Sequence, residues 1–215
     1  MIRVAGHFGE LLQGRFGPSG PVALITLPCE ALSVTASLTA AKDLSLTPES
    51  QRILPEARAK ALLKALDLPL TGRISLTAEM PPGGGAGVST AALVALARLA
   101  GWRGDPLDLV RACVATEGAS DPLMLDHPAQ LLWASRRAEI LETLPPPPAM
   151  EIIGGFYGQP SRTDPKDNDF PDIADLVPLW RKACTANDLA AAARIAATSA
   201  TRCLTHRKAQ TDPTA

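Results

Sequence analysis

Apolar and polar positions alternate clearly in two stretches. Residues 31–39 put Leu32, Val34, Ala36 and Leu38 on one face, and residues 74–78 alternate in the same way. A period of two predicts half-buried strands there. Residues 22–27 are almost continuously apolar and predict a buried strand, while residues 2–5 and 44–46 predict two short ones. Pro18, Pro21 and Pro28 punctuate this region and predict that its strands are separate. Helical spacing takes over at residues 55–66, where Pro55 opens the first turn and Leu62, Leu63 and Leu66 form an apolar face. Residues 91–100 are good helix formers without a breaker, and residues 107–117 carry the stripe Leu109, Val110, Cys113 and Val114. Gly118-Ala119-Ser120-Asp121-Pro122 ends that helix. Two strands follow at 129–134 and 138–144.

Pro145-Pro146-Pro147-Pro148 reads as a stiff polyproline linker. Beyond it the pattern predicts a strand over 151–157, a polar loop over 161–171, and helices over 173–185 and 188–205, the last capped by Asn187. Strands, helices, strands and helices in this order indicate an α+β fold rather than a doubly wound sheet. The expected division is residues 1–144 and 149–215. The second part has one strand and then helices, and the sequence stops at Pro213-Thr214-Ala215 without a closing strand. A partner covering that part, or a chain cut short, would account for this.

The chain has 215 residues, 46% of them hydrophobic and 20% charged, an ordinary globular mixture with enough length for a core. Its 21 basic and 22 acidic side chains leave a formal charge of −1, so nothing points to nucleic acid or an acidic membrane. Aromatic residues at 4% are too few for base-stacking platforms. Cys29, Cys113, Cys184 and Cys203 are widely spaced, with no C-x-x-C pair. That pattern argues against zinc and for reduced thiols in a cytoplasmic protein. The N-terminus lacks the apolar region of a signal peptide, and no run reaches the roughly 18 apolar residues of a membrane span.

The chemistry concentrates at Pro81-Pro82-Gly83-Gly84-Gly85-Ala86-Gly87-Val88-Ser89-Thr90-Ala91, between a strand and a helix. Glycines leave backbone N–H groups uncovered, and a helix N-terminus favours an anion. A phosphate cradle and a glycine-rich surface loop capping a helix both fit this local chemistry. A Walker A loop would need a lysine that Gly87-Val88-Ser89 does not supply, and a dinucleotide fingerprint would need glycine where Thr90 stands. Ser89 reads equally as a ligand or a helix cap. Asp126 and His127 are a nearby alternative acid pair to Asp121.

Pro81-x-x-x-Gly85-x-Gly87-x-Ser89-x-Ala91 resembles the phosphate loop of the GHMP kinase superfamily. Gly9-Glu10-Leu11-Leu12-Gln13-Gly14 and Glu117-Gly118-Ala119-Ser120-Asp121 are similar, in order and spacing, to two segments of its L-threonine kinase branch, which serves cobalamin salvage. The resemblance implies a mixed N-terminal sheet with helices, followed by a ferredoxin-like C-terminal domain that is incomplete here. It implies ATP phosphates held by Gly83, Gly84, Gly85, Ala86, Gly87, Val88, Ser89 and Thr90. Mg²⁺ would sit on Ser89 and Glu117, Asp121 would act as the catalytic carboxylate, and His7 and Glu10 would lie at the substrate. The expected substrate is a small alcohol or hydroxy amino acid. The departures are Val88 for a serine, Ala86 for a larger apolar residue, one extra residue between Glu117 and Asp121, and no glycine-rich motif near the end of the chain. These motivate two alternatives: a non-catalytic relative that binds a nucleotide, or an interaction protein whose C-terminal helices pair with another chain, as in a homodimer.

Overall fold

The computed structural model describes residues 1–162 and 164–207. Its centre is one mixed sheet. Strands β1 (Ile2–Arg15) and β2 (Val22–Thr39) form a long antiparallel pair, and β3 (Ser45–Leu46) runs parallel to β4 (Arg73–Ala78). β4 and then β5 (Leu131–Ala134) pair with β2 along the edge opposite β1, and β6 (Glu139–Thr143) closes the order β3-β4-β2-β5-β6. The separate strands expected on either side of Pro28 are in fact continuous. Pro28 lies opposite His7, where the β1–β2 register shifts, so its missing N–H falls at an irregularity rather than in a regular ladder. The residues 6–14 that follow the short predicted strand also belong to β1.

Strand alternation sends side chains to two cores. Val34, Ala36, Leu24, Ile74, Leu76 and Trp133 face one, and Ala23, Ile25 and Leu132 face the other. The first core is roofed by α1 (Pro48–Ile53), α2 (Glu56–Ala65), α3 (Val88–Leu99) and α4 (Pro106–Glu117). α3 is buried on nearly every side, from Thr90 through Ala97, which explains its uniformly apolar sequence. α1 was not predicted: six residues are too few to show a helical period. It is marked only by the Thr47 cap, whose hydroxyl accepts from the Ser50 N–H, and by Pro48 in the first turn.

The second core is covered by α5 (Leu176–Thr185) and α6 (Leu189–His206). Trp180, fully buried, packs with Leu12, Ile25 and Leu132. Ser199 and Cys203 on α6 both bond to the Gln13 backbone, and Arg15 exchanges backbone hydrogen bonds with Pro171 and Ile173. α6 is capped by Asp188, whose carboxylate accepts from Ala191 N–H, and not by Asn187, which sits one residue earlier at φ +50°. No strand forms over 151–157; that stretch is exposed and irregular. The expected end at 213–215 lies outside the described residues. No helix among the described residues is long and apolar enough to cross a membrane.

Candidate active site

The glycine loop is anchored at both ends. Where β4 ends, Glu79 N–H donates to the Ser33 carbonyl (3.0 Å) and Ser33 Oγ donates to Glu79 Oε2 (2.7 Å). The loop turns through a Gly84 N–H to Pro81 carbonyl bond (3.0 Å), with Gly83, Gly85 and Gly87 at φ +82°, +70° and +70°. Those left-handed values are what the glycines supply. Ala86, buried, accepts from His7 N–H at 3.2 Å and ties the loop to β1. Gly87 occupies the N-cap position of α3, without a side-chain bond to offer. Ser89 and Thr90 therefore lie in the first turn, and the Ser89 hydroxyl is turned toward Glu117 instead of capping the helix.

β1 brings a second set of groups to the same place. In a regular strand, residues three apart point to opposite faces. Here His7 pairs with Pro28 and Glu10 with Thr26, so β1 carries one residue more than β2 between those pairs. This bulge reverses the parity and brings the His7 and Glu10 side chains to one side, with Nδ1 and Oε1 3.8 Å apart. Gly9, at φ +84°, is the residue that permits it, and its N–H donates to His7 Nδ1 at 2.9 Å. A second irregularity between Glu10 and Leu12 lets Leu11 and Leu12 both reach the second core.

The two sets meet at the N-terminus of α3. Ser89 Oγ donates to Glu117 Oε2. Thr90 Oγ1 lies 3.3 Å from Glu117 Oε1 and 3.4 Å from Asp121 Oδ2, and Asp121 N–H donates to it at 3.3 Å. His7 Nε2 stands 3.3 Å from Asp121 Oδ2. One ligand atom each from His7, Glu10 and Asp121 lies within 4.8 Å of the others. Glu117 reaches the site from the last residue of α4, where Gly118 (φ +83°) caps the helix and turns the chain toward Asp121. Trp133 Nε1–H donates to the Ser120 carbonyl (2.8 Å) and holds that turn from below.

Three carboxylates share very little positive charge. Burial pushes Glu117 up to about 7; the Ser89 hydroxyl works against this, Asp121 adds to it, and Arg58, 3.8 Å away, offsets part of it. Burial likewise raises Glu10 to about 7, and its Oε2 has no hydrogen-bond partner among the described residues. Burial alone would also raise Asp121, but His7 outweighs it and holds that carboxyl below its ordinary value. For His7, burial opposes the charged ring, and the Asp121 carboxylate, with Glu10 behind it, overcomes this and lifts the pKa to about 9. The Gly9 N–H bond places the first ring proton on Nε2, facing Asp121. A second proton, on Nδ1, faces Glu10 and gives up the Gly9 bond.

The structure thus brings His7, Glu10, Ser89, Thr90, Glu117 and Asp121 together beside the loop of Gly83, Gly84, Gly85, Ala86, Gly87 and Val88. Asp126 and His127 are exposed and outside this cluster. Arg58, buried Thr26 beneath Glu10, and Ser120 complete it and were not singled out from the sequence. Arg58 sits on a helix whose period shows only which residues are core. Thr90 is more than a loop residue, because its hydroxyl joins the two acidic groups.

No protein-family model matches the sequence, and no curated protein matches it. Solved structures do match in shape. A protein designated homoserine kinase from Listeria monocytogenes aligns over 92% of this chain and 73% of its own length, with a TM-score of 0.55 and 18% identity. A homoserine kinase from Cytophaga hutchinsonii gives 0.51 and 17% identity, over 91% of this chain and 70% of its own. A mevalonate diphosphate decarboxylase from Legionella pneumophila gives 0.50 and 11% identity, over 99% and 79%. These proteins are members of the GHMP kinase family, and the fold of this chain is the mixed α+β arrangement of that family.

Proposed function

We propose that the chain transfers the terminal phosphoryl group of ATP to the hydroxyl of a small molecule, with L-threonine or a related hydroxy amino acid as the finer candidate. The observation that carries this reading is the meeting of Ser89, Thr90, Glu117 and Asp121 at the N-terminus of α3, beside a glycine loop. The residues present fit the cofactors. The open position at Gly85, where an added Cβ would meet nothing within 4 Å, and the first turn of α3 suit a polyphosphate. Ser89 Oγ and the Glu117 carboxylate are oxygen donors of the kind a hard cation takes. Glu117, buried with its pKa lifted to about 7, is short of positive charge in the free protein. Bound Mg²⁺ would supply charge neutralisation for phosphoryl transfer.

The chain's own residues would do the rest. Asp121 is ionised throughout the neutral range, and it is a hydrogen-bond acceptor for a substrate hydroxyl. A carboxyl held below its ordinary pKa is a weak base, so its main task is orientation, with the proton leaving late as the oxygen–phosphorus bond forms. Thr90 fixes the spacing of Asp121 and Glu117, and His7 holds the charge on Asp121.

A second reading, a nucleotide-binding protein without turnover, is favoured by Val88 standing for a serine in the loop and by the extra residue between Glu117 and Asp121. Measuring ATP consumption with Mg²⁺ across a panel of hydroxy amino acids, amino alcohols and simple alcohols separates the two. Turnover with a hydroxy amino acid supports the leading reading. Nucleotide binding without turnover on any acceptor replaces it with the second.

A further inference from the structure

Among the described residues, the stretch between the four prolines and α5 has no regular secondary structure, yet it follows the rim of the site. At Gly154 an added Cβ would stand 2.6 Å from the Phe8 ring, beside the β1 bulge. At Gly84 it would stand 3.0 Å from Phe156 Cδ1, and at Gly83 3.2–3.3 Å from Pro160 and Ser161. Ser161 N–H donates to the Gly83 carbonyl at 2.9 Å, and Arg162 donates to the Arg52 carbonyl at 2.9 Å. Farther on, Pro165 lies over Gly118, where an added Cβ would meet it at 2.7 Å, and Arg136 holds the carbonyls of Pro165 (3.2 Å) and Asp167 (2.8 Å). The segment therefore touches the bulge flank, the glycine loop and the cap of α4, the three pieces that surround Ser89 and Glu117. Its grip is light: residues 151–162 are exposed, with Ile153 96% and Tyr157 81% accessible. Among the described residues, one backbone bond joins it to the loop. Long connections of this kind in compact domains are usually either linkers or functional segments such as binding loops and lids, and the contacts with the loop and the bulge favour the second.

We infer that residues 151–162 form a strap that occupies the glycine loop of the free protein and must lift from Gly83 and Gly84 before a polyphosphate can lie there. The inference rests on the phosphoryl-transfer reading for its ligand and on the contacts above for its mechanism. Phe156 shields Gly84, and the Ser161 amide holds the Gly83 carbonyl. A ligand binding to the same backbone works against both contacts, so removing them strengthens ligand binding.

The test uses the full chain and two variants, Phe156→Ala and Phe156→Ala/Ser161→Pro, the second of which removes the amide donor. Calorimetric titration with Mg·ADP and with inorganic tripolyphosphate is expected to give about fivefold tighter binding for the single variant, and more for the double, the scale of a lost aromatic contact and a lost hydrogen bond. Hydrogen exchange of amides 156–162 in the unmutated chain is expected to quicken when either ligand is added. Binding by the unmutated chain that is equal or weaker in both variants overturns the strap while leaving the phosphoryl-transfer reading intact. So does slower exchange at 156–162 on ligand addition, which would mean a lid that closes over the ligand. Failure of all three proteins to bind either ligand overturns the phosphoryl-transfer reading, and the strap with it.

Discussion

At the scale of single residues, the site is an exercise in sharing charge. Asp121, Glu10 and Glu117 have one imidazole and one partly exposed guanidinium among them. Asp121→Asn keeps the shape but removes the anionic acceptor. If Asp121 orients the substrate hydroxyl, turnover should fall by at least about 100-fold, with nucleotide affinity changed less than about twofold, as measured by steady-state kinetics beside calorimetry. Retained turnover would remove Asp121 from the reaction. His7 makes a separate prediction. Its folded pKa of about 9 exceeds the unfolded 6.5, so the folded chain binds that proton more tightly. The resulting stability is fully present below pH 6.5 and is lost as pH rises through about 9. Its size is on the order of 3 kcal/mol. Urea midpoints between pH 6 and 9.5 should fall with pH in the unmutated chain and much less in His7→Gln; identical slopes would show that the ring stays neutral. That Ser89, Glu117 and Asp121 would lie together was legible because a recognisable spacing carried them. The position of His7 against Asp121 was not legible, since 114 residues separate them and only the fold sets the distance.

At the scale of elements, the informative one is β1. Its sequence alternates poorly after Ala5, so only its first residues read as a strand. The physical reason is that two inserted residues break the period of two while the hydrogen-bonded pairing continues. Helices α2, α3 and α4 were legible within a few residues because each has an uninterrupted apolar face, and α4 in addition has a cap at Asp105 and a glycine stop at Gly118. The strand expected over 151–157 failed for the opposite reason: Ile152, Ile153, Phe156 and Tyr157 have the right propensity, but no neighbouring strand among the described residues receives them. Gly9 tests the bulge. An added Cβ there meets nothing within 4 Å, so Gly9→Ala is opposed by its left-handed backbone alone. The cost should be about 1–2 kcal/mol, read from denaturant midpoints. A loss below about 0.3 kcal/mol would mean that the bulge relaxes, since left-handed strain cannot be that small.

At the scale of the whole molecule, one sheet serves two cores, and the C-terminal helices cover the face that the site does not use. Trp180 is the largest side chain pinning α5 to Leu12, Ile25 and Leu132. Trp180→Ala should cost about 3–5 kcal/mol. Because Leu12 lies in the strand that carries His7 and Glu10, the damage should reach the site as well as the stability. A calorimetric scan should show one lowered transition. Two separated transitions would mean that the helices melt independently of the sheet. The pattern of two apolar faces was readable from residues 22–26 of β2 and from β5, where consecutive residues are buried, but not which helices cover which face, because apolar stripes on helices do not name their partners.

Trp133 gives the molecule an optical handle. The indole is fully buried and its N–H is bound to the carbonyl of Ser120, the residue before Asp121. Trp102 lies in the turn after α3, and Trp180 lies on α5. A chain reduced to Trp133 alone, by Trp102→Phe and Trp180→Phe, would emit from a dry environment in which the indole N–H is bonded to the acidic turn. Its emission would then report any displacement of that turn in real time, with no label attached to the protein.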